Sequence, residues 1–327
     1  MNFILALAAV STALALPLQR RAQASTDLCG DYDYIILSDT PWIVYNMLYN
    51  ADETVGTQCT YYDSQTTAAS GTREVIWSSI TEITYEESTD NVPKGYSFVG
   101  LTENLETRLS DISSIPTVYE WTRTNSTAFK GNVCYDFMTN DVAGDSTSSS
   151  SHELMLWLQY EGGQLPIGWA DGAVDTIDDL FGTSWKLYSG VNDDTGITVS
   201  SLLPDTQFDG DFGGDLRDWL MALVDIGLFD ETTYVNVGNG GTEFFYGNAV
   251  MNATFALEIE LGTATTVATA SVNSVTAAAA ATATTAVRTS STLDNTSATL
   301  RSSTMPSQSA SPSAWRQGDE DGDDDCY

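Results

Sequence analysis

Between about residue 28 and residue 261 the chain consists of short apolar stretches separated by clusters of Gly, Asn, Asp and Ser. Within those stretches apolar and polar residues alternate at every second position, the signature of strands with one buried face. Ile115 to Thr122, Val133 to Thr139, Glu153 to Gln159, Ser184 to Tyr188 and Ala249 to Leu261 all read this way. In the last of them Ala249, Met251, Ala253, Phe255, Leu257 and Ile259 share one face, which predicts a core-facing row. A single helix is predicted, over Asp215 to Leu228, where Leu216, Trp219, Leu220, Leu223 and Val224 recur at helical spacing behind an acidic first turn. Many short strands with one helix predict an all-β domain built as a sandwich of two sheets.

The pattern breaks at both ends. Phe3 to Leu16 is an apolar run too short to span a bilayer, it contains the small-x-small site Ala13-Leu14-Ala15, and the dibasic pair Arg20-Arg21 follows. Residues 1–21 are therefore expected to be a signal peptide and short propeptide, residues 22–262 the globular domain, and the protein secreted. Residues 263–327 are rich in Ala, Thr and Ser and end in an acidic run. They carry too few large apolar side chains to offset the entropy of ordering, so a disordered, O-glycosylated tail is expected.

Export makes a disulfide between Cys29 and Cys59 chemically reasonable. Cys134, in an alternating segment, reads as a buried free thiol, and Cys326 has no evident partner. The formal net charge is -33, which opposes binding to nucleic acid or an anionic membrane surface. No membrane span, metal or cofactor is implied, and a monomer is the expectation. Asn125-Ser126-Thr127, Asn252-Ala253-Thr254 and Asn295-Thr296-Ser297 are N-glycan acceptor sequences.

Two segments carry candidate chemistry. Alternation in Glu153-Leu154-Met155-Leu156-Trp157-Leu158 places the leucines in the core and puts a carboxylate, a thioether and an indole on the opposite face. An acid beside flat apolar surface suits a sugar-binding groove. Glu243, in Gly241-Thr242-Glu243-Phe244-Phe245, is placed by the pattern at the mouth of the following strand among aromatics, where partial desolvation raises a carboxyl pKa. Glycosidases use two such carboxyls across the scissile bond. Competing motifs fall away. Asp194-Thr195-Gly196 lacks the second triplet an aspartic protease needs and reads as a turn. Asp209-Gly210-Asp211 with Asp215 lacks the bidentate Glu of a calcium loop, Leu220 standing in its place. His152 is the sole histidine, which excludes a poly-histidine zinc centre.

Taken in order, these residues resemble glycoside hydrolase family 12, the small β-jelly-roll endoglucanases and xyloglucanases. The resemblance is carried by Glu153 to Leu158 with Gly162-Gly163 and Pro166-Ile167-Gly168, and by Ile112 to Thr117, Tyr135-Asp136-Phe137-Met138, Ser184 to Tyr188 and Gly241-Thr242-Glu243. It implies a β-jelly-roll of two antiparallel sheets with a concave substrate cleft and one packed helix. It also implies a retaining endo-β-1,4-glucanase, a cellulase cutting internal bonds of cellulose or a related β-glucan polysaccharide, with Glu153 as nucleophile, Glu243 as general acid/base and Asp136 beside the nucleophile. Tyr49, Asn46, Met155, Trp157 and Pro166 are the implied substrate-binding residues, and Cys29–Cys59 matches the family's N-terminal disulfide. The chain departs from the family pattern at Met47 and Tyr49, where Asn and Trp are usual, at Ile83-Thr84-Tyr85, where a Trp-x-Trp pair is expected, and at Phe244, where Pro is common. Two alternatives follow from these departures: a xyloglucan-specific endoglucanase, or a non-catalytic glucan-binding wall protein.

Overall fold

The computed structural model describes residues 25–262. The expected signal peptide, the dibasic site, the Ala/Thr/Ser-rich tail, Cys326 and the Asn295 acceptor lie outside the described residues. Within them the chain folds into two sheets joined by one 24-residue strand, Tyr234–Leu257. The first half of that strand pairs with Gly95–Leu101 on one side and Lys130–Asn140 on the other. Its second half pairs with Arg73–Ile83 and Pro116–Asn125 in the opposite sheet. Beyond Gly95–Leu101, the first sheet continues through Trp42–Met47 to the edge strand Tyr32–Ile36. Beyond Lys130–Asn140 it runs through His152–Glu161, Thr198–Pro204, Thr183–Val191 and Asp175–Leu180. Every pairing is antiparallel except His152–Glu161 with Thr198–Pro204, a local departure from the all-antiparallel expectation.

The core fills the space between the sheets. Leu154, Leu156 and Leu158 are fully buried there with Trp42, Trp77, Tyr135, Phe137 and Phe255. Truncating one such leucine to Ala costs about 2–5 kcal/mol. Strand alternation then forces Glu153, Met155 and Trp157 onto the other face of the sheet, the face that carries the site. The row from Ala249 to Ile259 is buried as predicted, while Val250 and Asn252 between its members are exposed.

The helix spans Leu216–Asp225, shorter at both ends than its apolar periodicity implied. Asp215 is its cap: the carboxylate accepts hydrogen bonds from the backbone N–H of Arg217 at 2.9 Å and of Ile115 at 2.6 Å. At the other end Gly227 takes φ 78°, and the N–H groups of Gly227 and Leu228 reach back to the carbonyls of Val224 and Leu223. This paired closure ends the helix before Leu228 while still turning that side chain onto the core. Trp219, fully buried, packs edge-on against Phe137 with ring centroids 5.4 Å apart, pinning the helix beneath the sheet that bears the site.

Candidate active site

Three neighbouring strands bring the three predicted carboxyls to one face. Asp136 stands opposite Met155 in one pairing and opposite Asn239 in the other, and Glu153 lies two residues before Met155 on the same face. Glu243 shares that face with Asn239 and Gly241. It stands well inside the strand Tyr234–Leu257, which corrects its expected place at a strand mouth. The Gly238-Asn239-Gly240-Gly241 run lies inside this strand, where its glycines permit close packing. A Cβ on Gly240 would lie 2.4 Å from the Phe255 ring, so the glycine lets the two sheets close. Gly131 likewise allows its strand to approach the acid-bearing strand, since its Cβ would meet the Glu243 carbonyl oxygen at 2.3 Å.

Glu243 is 5% exposed and held at both oxygens. The Tyr49 hydroxyl donates to Oε1 at 3.0 Å, while Asn132 Nδ2 at 3.0 Å and Gln164 Nε2 at 2.6 Å donate to Oε2. Asn132 also accepts the Glu243 backbone N–H at 3.1 Å, so a single side chain holds both the main chain and the carboxyl. Beneath them lies Arg123, whose Nη2 donates to Thr242 Oγ1 at 2.8 Å and to the Asn132 carbonyl at 3.0 Å. Its Nη1 pairs with Glu161 at 3.2 Å, so this buried cation is compensated.

Burial and mutual repulsion set the protonation of the cluster. Desolvation first, then the Glu243 charge, pushes Asp136 up to about 7. Glu153 is driven well above its ordinary value by burial and by the charges of Asp136 and Glu243. Desolvation raises Glu243 to about 7 against the opposing pull of its three donors. Three carboxyls packed this way retain protons among them at acid to neutral pH. Asp136 Oδ1 is buried and has no hydrogen-bond partner among the described residues. Beside Glu243 opens a cleft of about 340 Å³ whose walls include Met155, Trp157, Gln164, Pro166 and Phe245.

The sequence profile of glycosyl hydrolase family 12 matches residues 40–260. The chain belongs to this family. It is 36% identical over 247 residues to xyloglucan-specific endo-beta-1,4-glucanase A of Aspergillus niger, covering 75% of this chain and 93% of that one. The enzyme of the same name from Aspergillus aculeatus is 34% identical over 245 residues, covering 75% and 92%. Among solved structures, endoglucanase 3 of Trichoderma harzianum from the same family superposes with a TM-score of 0.62 at 25% identity, covering 72% of this chain and 98% of that one. The described fold, two strand-built sheets with one helix, is the family 12 jelly-roll.

On this glycoside hydrolase scaffold the predicted site residues separate into two groups. Met155, Trp157 and Pro166 line the cleft, whereas Tyr49 is not part of its wall and meets the site through its hydroxyl, which donates to Glu243. Asn46 does not reach it. It is fully buried on the opposite face of Trp42–Met47, donating to the Gly30 carbonyl at 2.9 Å and accepting from Thr60 at 3.0 Å, so its place among the substrate residues is corrected. Those bonds brace the segment closed by the Cys29–Cys59 disulfide. Phe244 is likewise a packing residue, fully buried against Leu48, Ile83 and Phe129. Tyr85 is half exposed and packs edge-on with Tyr246, 4.9 Å between centroids. Cys134 is buried and unpaired as expected. His152 opens its strand and bonds Ser200 Oγ at 2.8 Å, with burial lowering its pKa to about 4. Asp194-Thr195-Gly196 forms a turn around the Asn192 side chain, with Gly196 at φ 72°. No metal-binding cluster occurs among the described residues. Asn132, Gln164, Arg123 and Trp169 escape sequence reasoning, although Gln164 directly follows Gly162-Gly163 and Trp169 directly follows Pro166-Ile167-Gly168, both recognised motifs.

Proposed function

We propose that this family 12 hydrolase is a retaining endo-β-1,4-glucanase whose preferred polymer is xyloglucan. The observation that carries the reading is the convergence of Glu153, Asp136 and Glu243 on one face of adjacent strands beside the cleft. Binding alone needs no trio of mutually repelling, partly desolvated carboxyls, one of them fully buried. Xyloglucan is preferred over cellulose because the Aspergillus relatives are named for it.

Glu153, as carboxylate, attacks the anomeric carbon while Glu243 gives its proton to the departing glycosidic oxygen, and the C–O bond breaks to leave a glycosyl-enzyme. Glu243 then takes a proton from water, whose oxygen attacks the same carbon and frees Glu153. Burial and the neighbouring charges favour a proton on Glu153, so for it to attack as carboxylate that proton must pass to Asp136 when substrate binds. The hydrogen bonds favour Oε1 as the oxygen that carries the transferable proton on Glu243. Oε2 receives two amide N–H groups, which cannot accept, whereas the Tyr49 hydroxyl at Oε1 can turn from donor to acceptor. Export supplies the compartment for a polymer substrate, and the Cys29–Cys59 bridge supports it. No helix among the described residues is long and apolar enough to cross a membrane.

Reducing-sugar release and viscosity loss on xyloglucan, mixed-linkage β-glucan and carboxymethyl cellulose test the proposal. Xyloglucan should be cut fastest, with a β-anomeric first product by proton NMR. Glu243→Gln should lose about 10²–10⁴-fold, the usual contribution of a general acid, and Glu153→Gln at least as much. A folded wild type that cuts none of the three from acid to neutral pH overturns the hydrolase reading and leaves glucan binding as the role of the groove.

A further inference from the structure

We propose that Arg123 is a positioning residue for the general acid: it bridges a break in the strand pairing at Glu243 and so fixes the carboxyl against Asn132. The inference rests on the assignment of Glu243 as general acid. Along Lys130–Asn140 and Tyr234–Leu257 the paired residues pass from Gly131 with Phe244 to Cys134 with Gly241. Asn132 and Val133 on one strand, and Thr242 and Glu243 on the other, fall in the gap. On its other side Glu243 still pairs with Tyr96, so only the Asn132 side is open. The same stretch is bulged towards His152–Glu161, where Val133 pairs with Gln159 but Cys134 with Trp157. A bulge re-aims side chains and leaves ladder groups unpaired, and those groups need other partners.

Arg123 helps supply them from the opposite sheet. It lies in Pro116–Asn125, opposite Met251 in the second half of the long strand. Its Nη2 donates to the Asn132 carbonyl at 3.0 Å and to Thr242 Oγ1 at 2.8 Å, and that hydroxyl donates to the same carbonyl at 2.6 Å. The three groups close a triangle that spans the gap. Asn132, held at its carbonyl, has its side chain left to accept the Glu243 backbone N–H at 3.1 Å and to donate to Oε2 at 3.0 Å. Arg123 is not part of the cleft wall beside Glu243; it lines a separate cavity of about 460 Å³ with Asn125 and Glu161. It therefore acts on the acid through Asn132 and Thr242 rather than on the substrate.

Stability alone does not account for a cation at this place. The Arg123 side chain is 5% exposed, and its Cζ lies 4.7 Å from the Phe129 ring centroid. Its partner Glu161 is held in turn by Asn125 Nδ2 at 3.0 Å. Replacing a buried ion pair by well-packed apolar side chains is often neutral or stabilising. What an apolar side chain lacks is a planar fork of donors, which here pairs with Glu161 through one nitrogen and closes the triangle with the other. A lysine would keep the charge without the fork.

The test uses Arg123→Met, with Arg123→Lys and Thr242→Val as milder variants should the first fail to fold. For each, kcat/KM is compared on xyloglucan and on dinitrophenyl cellotrioside, whose leaving group departs without a proton and so bypasses the general acid. Loss of acid positioning should lower the polymer value about 10-fold to 100-fold and the dinitrophenyl value by less than about threefold, whereas general loosening of the fold lowers both alike. In protein labelled at the Glu carboxyl carbons for NMR, the Glu243 resonance is assigned by its loss in Glu243→Gln. It should titrate at higher pH in each variant, because a loosened Asn132 no longer favours the ionised form. Arg123→Lys keeps the cation, so a rise there belongs to the lost fork and not to the lost charge. Equal losses on the two substrates, or a Glu243 titration that stays in place, overturn the positioning role. A moved titration in a protein that cuts nothing upholds that role and overturns only the hydrolase reading.

Discussion

Gln164 and Tyr49 act on opposite oxygens of one carboxyl, and that division is testable residue by residue. The Gln164 amide favours the ionised form of Glu243, partly opposing the burial that raises its pKa. Gln164→Leu removes that donor while keeping similar volume, so the Glu243 pKa must rise. Because the acid works protonated, the alkaline limb of kcat/KM, expected near 7 in the wild type, should move to higher pH even as the maximal rate falls. A pH profile whose limb stays fixed or moves down contradicts the clamp. Legibility at this scale followed sequence distance. Glu153 and Asp136 were readable from motifs and alternation because each lies within one strand's pattern. The Asn132 and Gln164 contacts to Glu243 join residues 111 and 79 positions apart, and nothing local to either residue announces such a contact. Asn46 misled for the complementary reason: the motif that flagged it does not say which face of the strand it occupies, whereas its neighbour Tyr45 packs on the groove side.

Among the elements, the helix shows how local chemistry refines a periodic pattern. Apolar spacing alone ran to Leu228, yet Asp215 and Gly227 set the limits through cap bonds rather than hydrophobicity. Asp215 does two things at once, capping the helix and tying it to Ile115 at the start of a neighbouring strand. Asp215→Ala should lower stability by about 1–2 kcal/mol, read from the urea midpoint at unchanged slope, and Asp215→Asn should recover most of it because an amide oxygen still accepts both bonds. Equal losses in the two variants would show that the charge, not the cap, matters. Strands were legible wherever one face is core and the other solvent, as in Ala249 to Leu257. The glycine-rich first half of Tyr234–Leu257 was not, because its glycines answer to rings packed from distant strands.

For the molecule as a whole, the carboxyl cluster couples function to stability. Glu243 has an ordinary pKa of 4.5 and is raised to about 7 by burial in the fold. Between those values the folded chain binds more protons than the unfolded one, so this group makes stability rise as pH falls from 7 towards 4.5. Its share is at most about 3 kcal/mol, since the cluster titrates together and its members cannot be counted independently. A net charge of -33 adds self-repulsion that acid also relieves, in the same direction. The two contributions separate in one comparison. Glu243→Gln offers its carbonyl oxygen to Asn132 and Gln164 and its amide to the Tyr49 oxygen, so the contacts survive while the buried charge is lost. The variant should therefore unfold at a higher Tm than wild type at pH 7 and at nearly the same Tm near pH 4.5, while losing the glucanase activity. Self-repulsion, changed by one charge among many, leaves both proteins with a common residual slope. Calorimetric scans that show parallel Tm-versus-pH curves would mean that the cluster is not strained at neutral pH. Curves that converge in acid would identify the site as a place where the fold gives up stability to keep a protonated acid poised.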